Sequence, residues 1–462
     1  MPDPAMKGWP VWLPGPQQGG TEVKKYEADS RETTNQGLTR RKFVETTAIA
    51  GAAVAAAPFL GGKAPAYAQA RKVHYLQWTS FIPEADTEID RQAEEFTKAT
   101  GIEMTVEKIN QNDMAARITA AVESGSGADV IQMNANQPHL FANGIAEHDA
   151  LLDEILGDQV YEWAFGAAVV EGVARGVPAF NIGNAVVYRT DVFEELGLQP
   201  PNTWDEYLEV GTVLKQNNMP VGQTLGHTFG DAPTFCYPLM WSYGGQEVDG
   251  SGKVVINSEG THKALAFMKE FWEAACDPGG FAWDDTSNNR AFLGQTIGAT
   301  LNGASIYFQP KNKPQDYPGL AGNLNHFLNP EGPSGRFHFV GPRTLSIMNY
   351  SQNKEAAAEY IRWTMQDDNF SEFMTVNQGY IQGVTPKWEH HPVWESDPAI
   401  AIYATNPRYG RTAGYAGPWN RQSGEAQEKY IIVDMFARAA RGEDPEAVAA
   451  WAQGELEGVY GA

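Results

Sequence analysis

From residue 72 onward the apolar positions switch repeatedly between a period of two and a period near 3.6. "KVHYLQW" (72–78) reads as a strand, and "TEIDRQAEEFTKATG" (87–101) as a helix. Its Ile89, Ala93 and Phe96 share one face, Thr87 and Asp90 form a capping pair, and Gly101 is the stop. "IEMTVEKI" predicts a second strand, "DMAARITAAVESG" a helix and "ADVIQMN" a short apolar strand. Strand and helix in alternation predict a mainly parallel sheet with helices on both faces.

A second alternating region follows "GVPAFNIGNAVVYRTDVFEELGL". "PPNTWDEYLEVGTVLKQN" carries a Thr203/Glu206 capping box, which fixes a helix start. "SEGTHKALAFMKEFWEAAC" is amphipathic, with Leu265, Met268, Trp272 and Ala275 in line, and Trp204, Trp272, Trp363 and Trp451 sit in helices as core or partly buried residues. "NKEAAAEYIRWTMQ" and "DPEAVAAWAQGELEGVY" are further helices, the latter with Pro445 in its first turn. Glycine- and aromatic-rich connections such as "WSYGGQEVDGSGK" and "RYGRTAGYAGPWNRQSG" lie between them.

The first 70 residues are of another kind. Arg40 and Arg41, then Lys42 and Phe43, precede an Ala-rich run from Ala48 to Leu60 that is too short and too weakly apolar to span a bilayer. "APAYAQA" places Ala66 and Ala68 at the spacing of a signal-peptidase site, so cleavage is expected after Ala68 or Ala70. The arginine pair resembles a twin-arginine export signal. Residues 1–70 are therefore read as a disordered leader plus signal peptide, and the rest as a periplasmic protein.

Charge narrows the partners. The chain has 34 Lys and Arg against 57 Asp and Glu, a net of −23, and loss of a leader holding eight basic and six acidic residues takes it to −25. Phosphate backbones need a basic footprint, so a nucleic-acid partner is excluded, and no basic amphipathic stretch offers a lipid surface. Nearly 400 remaining residues exceed one compact core and predict two lobes. Cys236 and Cys276 leave two readings open in an oxidising compartment, a bridge or two buried thiols. His390–His391 lacks zinc-ligand spacing and reads as exposed loop histidines. No dinucleotide, haem or cluster motif is present, so neither metal nor cofactor is expected.

Four stretches in order, "EEFTKATGIEMTVE", "ADVIQMNANQPHLFANGIAEHDALLDE", "GVPAFNIGNAVVYRTDVFEELGLQPPNTWDEY" and "FVGPRTLSIMNYSQNKEAAAEYIRWTM", resemble the periplasmic solute-binding proteins of ABC importers, in the sugar-binding group that includes maltose-binding proteins. The resemblance implies an α/β fold of two discontinuous lobes, type II-like, closing on ligand at a hinge. Chain crossings are expected near Phe180–Ala185, Phe337–Gly341 and Gly379–Thr385, giving lobe 1 as 71–182 plus 338–380 and lobe 2 as 183–337 plus 381–462. It further implies a monomer that delivers a sugar, sugar derivative or polyol to an ABC permease without covalent chemistry.

A sugar pocket needs aromatic planes and amide or charged groups for the hydroxyls. Trp78 and Ser80 end the first strand at the sheet edge where α/β proteins bind ligands. Asn134 and Asn136 follow the "ADVIQM" strand, and Asn181 lies in the hinge. By family position Tyr237, Trp241 and Tyr307 are aromatic contacts, and Trp419 with Asn420 is presented from a Gly/Pro loop. Two alternatives stand beside the sugar reading: an aromatic cage with carboxylates for a polyamine or quaternary ammonium solute, and a secreted carbohydrate-active enzyme. The enzyme would need two carboxylates flanking a bond, whereas Asp284, Asp285 and Glu389 read as solvated loop charges.

Overall fold

The computed structural model describes residues 71–157 and 159–461; the predicted leader, arginine pair and cleavage site lie outside them. Strands and helices alternate as the periodicity predicts, and two larger sheets organise them, with two two-stranded ribbons beside them. The first has six strands in the order Ile381–Gly383, Val177–Ile182, Arg343–Ile347, Val130–Asn134, Lys72–Trp78, Glu103–Ile109. Lys72–Trp78 runs parallel to both its neighbours, while Arg343–Ile347 runs antiparallel to both of its own and Ile381–Gly383 is antiparallel to Val177–Ile182, so the sheet is mixed and not the mainly parallel one expected. One sheet edge therefore gathers Trp78, Asn134 and Ile182 from strand ends together with Arg343 and Ile381 from strand starts. Loops at such an edge have their backbones free to meet a ligand.

The second sheet is small and antiparallel, in the order Ala299–Asn302, Ala185–Arg189, Leu324–Phe327. Only Gly183 and Asn184 separate the strand of the first sheet from that of the second. Each sheet has its own core. Val73, Ile118, Val130, Tyr360 and Ile361 centre one; Trp204, Tyr207, Phe271, Met435 and Phe436 centre the other.

Local chemistry explains the helix starts. Thr203 accepts from the Glu206 amide and Glu206 reaches back to the Thr203 amide, closing the expected capping box of helix Trp204–Gln216. Leu265, Met268, Trp272 and Ala275 of helix Glu259–Ala275 all face the second core. The first helix departs from expectation. It begins at Pro83, with Ile82 as N-cap, because proline already supplies a helical φ and lacks the amide a cap would satisfy. Thr87 lies inside that helix and its hydroxyl donates to the Pro83 carbonyl.

The third crossing also falls later than expected. Ile381–Gly383 pairs with Val177–Ile182 in the first sheet, and Val393, Trp394, Ile400 and Tyr403 belong to the first core. Ala413, Ala426 and residues 431–456 belong to the second. The chain is held back because Ile381–Gly383 completes a sheet edge and Trp394 and Ile400 pack onto Gly379. Cys236 and Cys276 are both buried free thiols.

Candidate functional site

A pocket opens where the binding edge of the first sheet faces the second lobe, with about 580 Å³ of space free of protein atoms, part of it continuous with solvent. The first lobe contributes Trp78, Gln111, Asn181, Arg343 and Tyr380. Arg343 is buried, and its guanidinium lies 5.2 Å from the centre of the Trp78 ring. It donates to the Gln111 side chain at 3.0 Å and to the Gly341 carbonyl at 3.1 Å, and its Nε has no partner. Burial lowers its pKa to about 10, against the favourable charges of Tyr380 and Asp285.

The second lobe supplies two aspartates. Helix Asp231–Ser242 begins at the pocket, and Asp285 accepts from the Gly230 amide at 3.2 Å and the Asp231 amide at 2.7 Å. Negative charge at a helix N-terminus is favoured by the exposed amides there. Asp231 accepts from the amides of Asn288 at 2.7 Å and Asn302 at 3.4 Å. Burial raises both aspartates above the ordinary carboxylate range; the charge of Asp285 adds to this at Asp231, and the two amide donors oppose it at Asp285. Phe229, Phe339 and Tyr380 add apolar wall, and Tyr380 presses so closely on Gly303 that a Cβ there would lie 2.7 Å from the ring. Acceptors on one wall, a cation with an indole on the other and amides between can satisfy a ring of hydroxyls.

Of the residues chosen from sequence, Trp78 and Asn181 line this pocket. Asn181 is already engaged: its amide nitrogen donates to Gln382 at 2.9 Å and its oxygen accepts from Gly341 at 3.0 Å, tying two crossings together. Ser80 faces a neighbouring cavity behind Trp78 and caps the turn into the first helix through the Ile82 amide. Asn134 is buried with neither side-chain polar atom partnered, and Asn136 donates to Ser423 at 2.8 Å and to the Ala413 carbonyl. Tyr237 and Trp241 are packed in the second core against Phe339. Tyr307 is bound by its hydroxyl to Asp397 at 2.6 Å. Trp419 donates to the Thr412 hydroxyl at 3.0 Å and lies on Gly166, where a Cβ would come within 2.2 Å of its ring, while Asn420 caps helix Arg421–Glu428.

Sequence reasoning missed Asp231, Asp285, Asn302 and Arg343. Asp285 is no solvated loop charge, since helix amides fix both its oxygens. Nor is Glu389, which is 9% exposed and held by Arg408 and Tyr161. His391 is buried against Ser371, whereas His390 is exposed. Among the described residues no cluster of three or more His, Cys, Asp or Glu is placed to hold a metal, and no helix is long and apolar enough to cross a membrane.

Two α/β lobes joined by crossing strands around a polar, aromatic-walled pocket define the two-lobed binding-protein class. The family of bacterial extracellular solute-binding proteins matches residues 91–402, and the chain belongs to that family. The erythritol/L-threitol-binding protein of Mycolicibacterium smegmatis is 22% identical over 380 residues, covering 72% of this chain and 79% of that protein. Maltose-bound MalE3 of T. maritima superposes with a TM-score of 0.73 at 20% identity over 84% of this chain and 99% of the other. A ribitol-bound solute-binding protein of Agrobacterium radiobacter gives a TM-score of 0.65 at 19% identity over 84% and 98%. At these identities the solved structures establish the fold.

Proposed function

We propose that this protein is the substrate-capturing component of an ABC importer, taking a sugar, sugar derivative or polyol into the pocket between its lobes and passing it to a membrane permease. The observation that carries the reading is the facing pair of walls, Trp78 with Arg343 on one lobe and Asp231 with Asp285 on the other. Hydroxyls both donate and accept, so one polyhydroxylated ligand can satisfy carboxylates and guanidinium together. Relatives whose names give erythritol, ribitol and maltose as ligands support the same class. The protein would leave the cytoplasm by the twin-arginine route, lose its leader near Ala68 or Ala70, and act as a periplasmic monomer.

A cationic solute is favoured by the two aspartates and disfavoured by Arg343, whose charge already occupies one face of Trp78. Glycoside hydrolysis needs carboxylates on both sides of a bond, whereas Asp231 and Asp285 share one wall and are linked through the Asp231 amide. Titration calorimetry tests the reading with Asp231→Asn and Arg343→Met. Arg343→Met removes a hydrogen bond to a charged group, worth about 1.5–3 kcal/mol, so affinity for a bound sugar or polyol should fall by about tenfold or more, and Asp231→Asn, which exchanges a carboxyl oxygen for an amide, should weaken it too. Unchanged affinity in both variants would move the ligand elsewhere.

A further inference from the structure

Resting on that reading, we infer that the pocket takes a single monosaccharide or a four- to six-carbon polyol and excludes oligosaccharides, because the lobes are stitched together beside it, where Ala135, next to Asn136, packs on the pocket residue Gly341. The stitch joins the loop after strand Val130–Asn134 to the segment 413–428. Asn136 donates to the Ser423 hydroxyl and the Ala413 carbonyl, Gln137 donates to Glu428 at 3.1 Å, and Arg421 donates to the Leu140 carbonyl at 2.7 Å. The backbones themselves are close: a Cβ on Gly424 would lie 3.0 Å from Leu140 and 3.3 Å from the Asn136 carbonyl oxygen. Asn136 and Ser423 are buried, so no layer of water or sugar separates them.

The aromatic planes that a longer ligand would need are withdrawn in the same region. Trp419 is folded onto Gly166 of helix Glu162–Ala168, with its indole N–H held by Thr412. Tyr237 and Trp241 are 1% and 2% exposed within the second core. On another side Tyr307 and Lys311 both reach Asp397.

A ligand that extended toward the segment 413–428 would have to displace the Asn136–Ser423 and Arg421–Leu140 contacts. Burying those polar groups without their partners would cost about 1–3 kcal/mol each.

A length series separates this inference from the functional reading beneath it. The purified protein is titrated calorimetrically, and melted, with erythritol, ribitol, a hexitol, a panel of hexoses, maltose and maltotriose. The expected result is binding by at least one monomeric polyol or sugar, with maltose and maltotriose at least a hundredfold weaker. Maltose or maltotriose binding as tightly as the best monomer would overturn the size limit and leave the sugar reading standing. No binding by any neutral polyhydroxylated compound would overturn both.

Discussion

Glu247 offers a quantitative test of how this fold treats a buried charge. It is 0% exposed, and no cation pairs with it among the described residues; the Tyr460 hydroxyl donates to it at 2.8 Å, the Gly414 amide at 3.1 Å and the Tyr237 hydroxyl at 3.4 Å. Burial raises its pKa from 4.5 to about 7, against the pull of those three donors. The folded chain thus holds this proton more tightly than the unfolded chain. As pH rises from about 4.5 to 7 the unfolded state releases it first, and stability falls across that window by about 3 kcal/mol, at 1.36 kcal/mol per unit, then levels off above 7. Buried histidines such as His148 and His326, whose pKa values burial lowers to about 4, act in the opposite direction and mask the raw profile. Glu247→Gln keeps the shape and removes the titration, so the difference between variant and parent isolates it. Urea unfolding followed by circular dichroism at pH 5, 6, 7 and 8 should show the variant gaining about 3 kcal/mol relative to the parent between pH 5 and 8. A difference that does not change with pH would mean the carboxyl is not held neutral, and would refute the reasoning.

Two further substitutions examine the stitched region. Trp419→Ala should lower stability by about 1–3 kcal/mol, because a partly buried indole leaves the Gly166 surface, while changing ligand affinity less than threefold; chemical denaturation and calorimetry check the two halves. Gly166→Ala sets a methyl 2.2 Å from a rigid ring and should cost about 1–3 kcal/mol by overpacking, read as a lower melting temperature.

What the sequence made legible follows its local grammar. The Thr203/Glu206 box and the Leu265–Met268–Trp272–Ala275 stripe depend on neighbours within a turn or two, and both appear as expected. Helix Asp231–Ser242 gave no such signal, since all twelve of its residues are buried and Pro238 sits inside it, which erases the polar face a periodicity needs. The place of Trp78 on the pocket wall was legible because the C-terminal end of a strand is where α/β sheets open to a cleft. Arg343 was not, because it opens an antiparallel strand inserted between two others, a fact of topology rather than spacing. Asp231 and Asp285 are 54 residues apart and meet only through a helix N-terminus. Loop tryptophans, by contrast, draw the eye: Trp419 lies on a glycine of a helix far away in the chain.

The account places a small polyhydroxylated ligand between the Trp78–Arg343 wall and the Asp231–Asp285 wall. The most direct measurement is a crystal structure with the tightest-binding monomeric sugar or polyol. The prediction is one ligand there, with hydroxyls within hydrogen-bond distance of Asp231 and Arg343 and the Asn136–Ser423 contact intact. A ligand seated instead against Trp419, or spanning a broken Asn136–Ser423 contact, would contradict it.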